Sequence, residues 1–320
     1  MDSFGNTWAI VLAGGDGTRL QSLTTNLNGV PVPKQYCSIW DGPSLIEGAL
    51  ERATAVAPLR RICAVVASAH RRWWSTSLGF LPNENVIVQP RNRGTGIGIL
   101  LSLLCVHKRD PFANIVLMPA DHYLQDESTM ALSLRGVADL AAADTGAVYL
   151  LGANPSGSDP NLGYVVPAEV QPDGSSSVAT FVEKPSMTEL PALLEQGALV
   201  NVFIVAGSVG ALLGLYQASY AHLVDAFDEV IARSHEAPNH GPLFDAYEGL
   251  APLDFSQDIL QHNVPSLRVV PVPPCGWFDL GTPERVAQLL KQPAPKSLAA
   301  PGRAASLSPL SLSTQWLGRE

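Results

Sequence analysis

Three glycines and an arginine near the amino terminus have the types and spacing needed to bind a polyphosphate. Gly14, Gly15 and Gly17 lie close together, and Arg19 follows shortly after them. Glycine permits positive φ angles and lets the backbone approach an anion closely. Successive N–H groups in such a turn form an anion-binding nest, and arginine adds paired donors for phosphate oxygens. A glycine turn beside a solvated arginine would have the same sequence.

A lysine in a proline-rich segment is the second candidate for phosphate binding. Lys34 follows Pro31 and Pro33, which stiffen the chain and give the lysine a defined direction. If it lies near the glycine loop, its charge would neutralise phosphate. A proline-lysine pair is also typical of an ordinary surface turn. The loop is neither a Walker A loop, because the Lys-Ser/Thr ending is absent, nor a dinucleotide-binding loop, because its glycine spacing differs.

Two aspartates stand where a sheet would present them to a phosphate. Asp121 comes just after the apolar run 115–118, and Asp279 lies in a second run that begins near Gly276. A carboxylate at the carboxyl end of a central strand is well placed to hold Mg²⁺ over a phosphate. Capping of a helix amino terminus would explain Asp121 equally well.

Short apolar runs alternate with helical patterns over the first half of the chain. The runs lie at 8–12, 62–67, 86–88, 115–118 and 147–151, and the helical patterns at 44–56, 95–107 and 128–142. This alternation predicts an α/β, Rossmann-like three-layer fold with a mostly parallel sheet covered on both faces. Such sheets bind ligands beyond the carboxyl ends of their strands. Ser44 and Ser128 are the expected caps of two helices.

The pattern of predicted elements changes in the second half of the chain. Segments 163–169 and 177–184, joined by a Pro-Asp-Gly turn at 172–174, predict an antiparallel hairpin that builds a lid or substrate-binding layer. Helical segments are expected from there to about 250, then strands near 267–272 and 276–280. A helix should begin at Pro283, with Thr282 as its cap.

Composition excludes several classes of function. The chain has 320 residues, is 46% hydrophobic and carries a net charge of −9, which disfavours a nucleic-acid partner. Its four cysteines are too scattered for a zinc or redox site. The amino terminus lacks the pattern of a secretory signal, and no apolar run is long enough to span a bilayer, so we expect a cytoplasmic protein without a membrane partner.

Taken together, the glycine loop 13–20 and Pro33-Lys34-Gln35 resemble the sugar-phosphate nucleotidyltransferases, most of all the mannose-1-phosphate guanylyltransferases. Further segments agree with that family in type and order. They are Gln89-Pro90-Arg91-Asn92-Arg93-Gly94-Thr95, Pro119-Ala120-Asp121-His122, Gly163-Tyr164, Phe181-Val182-Glu183-Lys184-Pro185 and Gly276-Trp277-Phe278-Asp279-Leu280-Gly281.

The resemblance implies a role for each matching residue. The implied catalytic residues are Arg19, Lys34, Asp121 and Asp279, with the two aspartates as ligands of Mg²⁺. The implied nucleotide-binding residues are Leu12, Ala13, Gly14, Gly15, Gly17, Thr18, Gln89, Asn92, Gly94, Thr95 and Asp121. The implied sugar-phosphate-binding residues are Gly163, Glu183, Lys184 and Asn201. His122 matches the motif without an assigned chemical role.

The resemblance also implies how the chain is divided. Residues 1–291 would form the nucleotidyltransferase domain, with a nucleotide-binding part to about 155 and a smaller, antiparallel sugar-binding part from about 156. Residues 292–320, rich in Pro, Ala and Ser, are expected to be a flexible tail. No fused β-helix or isomerase domain is expected after it.

The implied substrates are a nucleoside triphosphate, GTP being favoured, and a hexose 1-phosphate, most of all mannose 1-phosphate; a homodimer is one expected assembly. Glucose 1-phosphate with UTP or dTTP is the alternative within the family, and a non-catalytic nucleotide-sugar-binding regulator is an alternative of another class. Three segments depart from the family pattern and leave the substrate open. They are Gln21-Ser22-Leu23-Thr24, Arg93-Gly94-Thr95-Gly96 and Asn201-Val202-Phe203, the last without the glycine of the usual Asn-Ser-Gly.

Overall fold

A sheet of nine strands forms the centre of the protein in a computed structural model, which describes residues 4–40, 42–236, 241–292 and 310–311. The strands are β1 (Thr7–Ala13), β2 (Cys37–Ser38), β3 (Ile62–Ala67), β4 (Val86–Gln89), β5 (Asn114–Pro119), β6 (His122–Leu124), β7 (Val148–Ala153), β8 (Gly163–Val170), β9 (Ser176–Glu183), β10 (Leu199–Ser208), β11 (Leu267–Val272), β12 (Trp277–Asp279) and β13 (Leu310–Ser311). The helices are α1 (Gln21–Thr24), α2 (Leu45–Ala53), α3 (Arg71–Ser77), α4 (Gly94–Arg109), α5 (Glu127–Ala143), α6 (Leu190–Glu195), α7 (Val209–Glu236), α8 (Gly241–Glu248) and α9 (Pro283–Leu290).

The strand order of the large sheet is β4-β3-β1-β5-β10-β7-β11-β9-β8. The first four strands are parallel, and β7 and β11 are parallel to each other, whereas β10 runs antiparallel to both β5 and β7. The carboxyl ends of β1, β3, β4 and β5 therefore meet at one edge, where the predicted ligand residues follow them.

Both faces of the sheet are covered, as the continuous apolar runs predict. Along β1, Ala9 and Val11 face a core that includes side chains of α2, α5 and α9, while Ile10 faces a second core that includes α4 and α7. All three residues are fully buried. Strands of this kind lose the alternation of polar and apolar residues that marks a half-exposed strand.

The prediction for the segment around 199–208 was wrong. This stretch was assigned to a helical region, but it forms β10, between β5 and β7 in the sheet. Its residues are almost all apolar and include several Val and Ile, whose branched side chains favour strands. A short apolar run does not separate a buried strand from a buried helix by its period alone.

The predicted hairpin is confirmed. Strands β8 and β9 pair antiparallel, and Gly174 in the turn between them has a φ of 84°. The hairpin continues the large sheet, because β9 also pairs with β11 and β8 with β10. A separate two-stranded sheet pairs β12 with β6, placing Asp279 opposite His122.

Two of the three expected helix caps are confirmed. Ser44 forms a capping box with Glu47, and Thr282 Oγ1 accepts a hydrogen bond from the backbone of Arg285. Ser128 does not cap α5. Asp126 does so instead, accepting from the backbone N–H groups of Ser128 and Thr129, because its carboxylate stands before the first turn of the helix.

Most of the predicted flexible tail lies outside the described residues. Of that segment the structure describes Gln292 and the pair Leu310–Ser311, which runs parallel to Cys37–Ser38. Among the described helices, none combines the length and apolarity that crossing a membrane requires. The boundary proposed near residue 155 stays a prediction.

Candidate active site

A cavity of about 360 Å³ opens at the carboxyl ends of the parallel strands, and it gathers most of the predicted site residues. Those that line it are Leu12, Gly14, Gly15, Arg19, Gln89, Asn92, Gly94, Thr95, Asp121, Gly163, Glu183, Lys184, Asn201 and Asp279. The predicted residues Ala13, Gly17, Thr18 and Lys34 do not line it. Residues from the two halves of the sequence thus face one another across a single space.

The glycine loop needs its glycines for reasons that differ by position. Gly17 uses the freedom of glycine and has a positive φ of 63°, whereas Gly14 and Gly15 do not have positive φ angles. At Gly14 a Cβ would stand 2.5 Å from Nε2 of the buried Gln89, so a side chain there would force the Gln89 amide to move. The loop is held from below by Gln35, whose buried amide donates to the carbonyls of Ala13 and Gly15 at 2.8 and 2.9 Å.

Lys34 lies beneath the cavity and contacts Asp121. Its ammonium stands 3.1 Å from Asp121 Oδ2 and donates to the Leu280 carbonyl at 3.0 Å. Burial alone would raise the pKa of Asp121, but the attraction of Lys34, with a smaller contribution from His122, lowers it overall. Asp121 is therefore a carboxylate at neutral pH.

His122 brings the two predicted metal ligands together. Its Nε2 is 4.0 Å from Asp121 Oδ1 and 3.9 Å from Asp279 Oδ1, because β6 and β12 pair at this point. Trp277 Nε1 donates to His122 Nδ1 at 3.1 Å, so the neutral imidazole carries its hydrogen on Nε2. Burial lowers the pKa of His122, although both carboxylates oppose this. The residue that had no assigned role thus presents an N–H toward both aspartates.

The two aspartates fit a magnesium ion that arrives with phosphate. Among the residues described, no group of three or more His, Cys, Asp or Glu could hold a metal. Magnesium, however, is often bound by one or two carboxylates, with waters and substrate phosphates completing its shell. Asp121 and Asp279 supply that number of carboxylates, and each has its Oδ2 in contact with a cation, Lys34 or Arg285.

Gln89, which was predicted to contact the nucleobase, lines the cavity. It is buried, lies against Gly14 and Gly98, and accepts a hydrogen bond from the hydroxyl of Tyr247 at 3.3 Å. Both glycines leave room for this amide, since a Cβ at Gly98 would lie 3.0 Å from its nitrogen and oxygen atoms. Tyr247 comes from α8, far along the chain, and no local pattern in the sequence indicates this contact.

Asn92 and Thr95 are engaged by the protein itself. Asn92 donates to Asp16 Oδ2 at 2.9 Å and accepts from the backbone of Gly94, and Thr95 Oγ1 accepts from the backbone of Phe255 at 2.8 Å. These side chains line the cavity, and their hydrogen bonds join the segments that surround it. Their predicted contact with a nucleotide stays a prediction.

The predicted sugar-side residues form a compact group. A Cβ at Gly163 would lie 2.5 Å from Glu183 Oε2 and 3.5 Å from the Asn201 Cβ, so the absent side chain makes room for that carboxylate. Lys184 donates to Glu183 Oε1 at 2.7 Å. Burial raises the pKa of Glu183, and the neighbouring Lys184 offsets only part of this effect.

Two residues that line the cavity on this side have strained backbones. Lys184 and Phe203 have positive φ angles of 52° and 57°, which side chains other than glycine rarely adopt. Phe203 belongs to the segment Asn201-Val202-Phe203, and Asn201 Oδ1 accepts a hydrogen bond from its backbone N–H at 3.1 Å. Such strain is concentrated at functional sites because the surrounding structure must enforce it.

Several residues that line the cavity were missed from the sequence. They are Val65, Gly98, Pro119, Asn161, Leu162, Phe203, Asp254, Ser256 and Trp277. Asp254 accepts from the backbone of Ser256 and Gln257, so it caps the turn that follows. An aspartate before an apolar residue is a recognisable cap, but nothing local shows that this turn packs against the start of α4.

Glu183→Gln should stabilise the protein more at pH 7 than at pH 4. The pKa of Glu183 is raised above the ordinary 4.5, so ionisation costs more in the folded than in the unfolded chain. The wild type loses stability as pH rises from below 4.5 through the higher folded pKa, whereas glutamine does not titrate. Thermal unfolding of both proteins from pH 4 to pH 8 measures this. A difference in melting temperature that stays flat or falls with pH would contradict it.

The fold is a mixed α/β sheet with a cavity at the carboxyl ends of its parallel strands, and comparison with known proteins identifies the family. The chain belongs to the nucleotidyl transferase family, whose model matches residues 8–292. This confirms the family resemblance seen in the motifs.

Curated relatives agree with this family. The mannose-1-phosphate guanylyltransferase RfbM of Salmonella typhimurium is 26% identical over 182 residues, which are 56% of this chain and 36% of that protein. The mannose-1-phosphate guanylyltransferase of Escherichia coli K12 is 26% identical over 198 residues, 59% of this chain and 40% of its own. The matched region thus spans two fifths or less of these relatives.

A solved structure shows the same fold. The mannose-1-phosphate geranyltransferase of Thermus thermophilus superimposes with a TM-score of 0.72 at 23% identity, covering 86% of this chain and 76% of that one. The inositol-1-phosphate CTP transferase of T. maritima gives a TM-score of 0.56 at 15% identity, covering 89% and 93%. The predicted α/β, Rossmann-like fold is confirmed, and it is of the nucleotide-diphospho-sugar transferase type.

Proposed function

We propose that this protein transfers a nucleotidyl group from a nucleoside triphosphate to a hexose 1-phosphate, releasing pyrophosphate. One observation carries the proposal. A single cavity has the glycine loop and two adjacent aspartates on one side, and the group of Glu183, Lys184 and Asn201 on the other. The first side suits a triphosphate with its magnesium ion, and the second offers a carboxylate, an ammonium and an amide to a phosphorylated sugar.

The proposed reaction is an in-line displacement at the α-phosphorus. An oxygen of the sugar phosphate forms the new P–O bond, and the bond from the α-phosphorus to the pyrophosphate oxygen breaks with its electron pair. The nucleophile is already ionised at neutral pH, so no general base is needed. Catalysis then depends on holding two polyanions together against their repulsion.

The residues of this chain would divide that work. Arg19 and the N–H groups of the glycine loop hold the leaving pyrophosphate, and Lys184 orients the sugar phosphate. Asp121 and Asp279 would hold Mg²⁺, which neutralises phosphate charge when bound. Lys34 acts from beneath by keeping Asp121 ionised and in place.

We propose GTP and mannose 1-phosphate as the preferred substrates. The support is the naming of the relatives above as mannose-1-phosphate guanylyltransferases, together with a buried Gln89 amide that suits the edge of a base. An amide can also pair with uracil or thymine. A panel of GTP, UTP, dTTP, ATP and CTP against mannose and glucose 1-phosphates, read by pyrophosphate release with Mg²⁺, decides the matter. Preference for UTP or dTTP would refute the guanylyl assignment.

The same panel tests the non-catalytic alternative. A regulator would bind a nucleotide sugar without releasing pyrophosphate from any pair of substrates. We favour an enzyme because Arg19, Lys34, Asp121 and Asp279 are all present, and because the cavity or its floor contains each of them.

Arg19→Ala is expected to lower kcat/KM for the triphosphate by about 10- to 100-fold, equivalent to roughly 1.4–2.7 kcal/mol of transition-state stabilisation. Arg19 is exposed at the cavity, and no hydrogen bond or ion pair joins it to another residue in the part of the chain that the structure describes. Its removal should therefore leave the melting temperature nearly unchanged. Steady-state kinetics at varied triphosphate concentration measure the effect, and an unaltered kcat/KM would remove Arg19 from the site.

A further inference from the structure

Arg285 contacts two carboxylates, those of Asp279 and Asp159, that are distant from each other in the sequence. It lies in the first turn of α9, and its Nη1 donates to Asp279 Oδ2. Its Nη2 and Nε both donate to Asp159 Oδ2, the Nε bond being 2.9 Å long. The Arg285 side chain is only 11% exposed. A guanidinium keeps its charge at any physiological pH, so at this depth it depends on both partners.

Asp159 is itself fixed by its neighbours. Its Oδ1 accepts from the backbone and the side-chain amide of Asn161 at 2.8 and 3.0 Å, and its carbonyl accepts from the hydroxyl of Tyr164 at 2.9 Å. Asp159 therefore belongs to the loop that leads into β8, where the sugar-side group begins with Gly163. Arg285 ties this loop to β12, which carries Asp279.

The two oxygens of Asp279 have different surroundings. Oδ2 is held by Arg285, while Oδ1 faces His122 Nε2 at 3.9 Å, on the same side as Asp121 Oδ1. A carboxylate held by one oxygen cannot rotate freely. The other oxygen then stays directed toward the neighbouring carboxylate.

We propose that Arg285 is a positioning residue that orients Asp279 for metal binding, and that Asp159 holds Arg285 in the required place. The inference rests on the proposed role of Asp279 as a magnesium ligand. Partners that orient metal ligands commonly change metal affinity by about 10- to 100-fold when they are removed. The link to the loop before β8 also means that the metal ligand and the sugar-side strand are held by one side chain.

A purely structural role makes a different prediction. If Arg285 only pins α9 to the loop, its loss should lower the melting temperature and leave metal affinity unchanged. A matched control is available in Arg52, which is also buried and makes two hydrogen bonds to a carboxylate, Glu127, at 2.9 and 2.8 Å. Arg52→Gln should lower stability without weakening metal binding.

The test measures the dissociation constant of Mn²⁺–GTP for the full chain, with water proton relaxation as the readout. The dissociation constant of GTP in EDTA is the metal-free reference. Arg285→Gln is expected to raise the dissociation constant of Mn²⁺–GTP by about 10- to 100-fold and that of GTP in EDTA by less than about twofold. Arg285→Lys, which keeps a charge but not the fork, should fall between Arg285→Gln and the wild type, and Asp159→Asn should weaken Mn²⁺–GTP in the same direction.

The Asp279→Asn variant distinguishes an error in the proposed function from an error in the positioning role of Arg285. If Asp279→Asn binds Mn²⁺–GTP as tightly as the wild type does, the metal assignment of the proposed function is wrong and this inference falls with it. If Asp279→Asn weakens binding but Arg285→Gln and Arg285→Lys do not, only the positioning role is wrong. Should Arg285→Gln fail to fold, Arg285→Lys and Asp159→Asn still decide the question.

Discussion

Asp121→Asn is expected to reduce kcat by about a thousandfold, the order of loss seen when a key electrostatic group is removed from a reaction centre. Asparagine keeps the shape of the side chain but removes the negative charge that would hold Mg²⁺ over the phosphates. Lys34 would lose its ion-pair partner at 3.1 Å while keeping the Leu280 carbonyl. Because Asp121 is partly exposed, we expect the accompanying loss of stability to be modest.

The measurement is pyrophosphate release at saturating substrates and high Mg²⁺, alongside thermal unfolding. Asp139→Asn is a matched control, because Asp139 is exposed on α5 and does not line the cavity. A kcat for Asp121→Asn within about threefold of the control would show that Asp121 is not a metal ligand. An equal loss of activity and of folded protein would instead mean that its ion pair with Lys34 is mainly structural.

Much of the fold follows from short-range patterns. The apolar runs that form β1, β3 and β5 are continuous because helices cover both faces of the sheet, and this made them recognisable. The Pro-Asp-Gly turn and the Thr282-Pro283 pair are local signals, so the hairpin was found with nearly correct limits and α9 with its correct first residue. Strand β10 was missed because its apolar run fits a helix as well as a buried strand.

The site was predictable only where a motif is contiguous. The glycine loop and Asp121 were found in this way, since their neighbours in sequence are also their neighbours in space. The contact of Arg285 with Asp159 spans 126 positions, and the Gln89–Tyr247 hydrogen bond spans 158. Such pairs depend on how the elements pack, and no local spacing encodes them.

The packing also gives a structural role to two residues that were predicted for the site. Asn92 and Thr95 were predicted to bind a nucleotide, yet their side chains hold Asp16 and the backbone of Phe255. A polar side chain near a glycine suits both tasks. For Thr95, the choice between them depends on a segment 160 positions away.

Gly94→Ala is expected to destabilise the protein by about 3 kcal/mol or more. Gly94 has a φ of 83°, and a side chain in this left-handed region costs roughly 1–2 kcal/mol. The added Cβ would also stand 2.3 Å from the Leu253 carbonyl oxygen and 2.9 Å from its carbonyl carbon. These are backbone atoms, so no side chain can turn away to relieve the overlap, and the costs add.

The backbone that would have to move is well anchored. Leu253 donates to the Arg93 carbonyl at 3.0 Å and accepts from the backbone of Gly96 at 2.8 Å, so a shift breaks hydrogen bonds on both sides. It also displaces Asp254 and Ser256, which line the cavity. We therefore expect Gly94→Ala to lower kcat/KM for both substrates even in the fraction that remains folded.

Gly48→Ala is expected to raise the free energy of unfolding, the opposite of the effect expected for Gly94→Ala. Gly48 lies inside α2, and a Cβ there would meet no atom within 4 Å. Alanine is favoured over glycine by about 1 kcal/mol in a helix interior, so this variant should be more stable than the wild type. Denaturant unfolding measures the free energy of unfolding of both variants, and it tests whether the Leu253 backbone packs closely against the start of α4. Equal stability of Gly94→Ala and the wild type would mean that this segment yields easily, and then Asp254 and Ser256 would not be held firmly at the cavity.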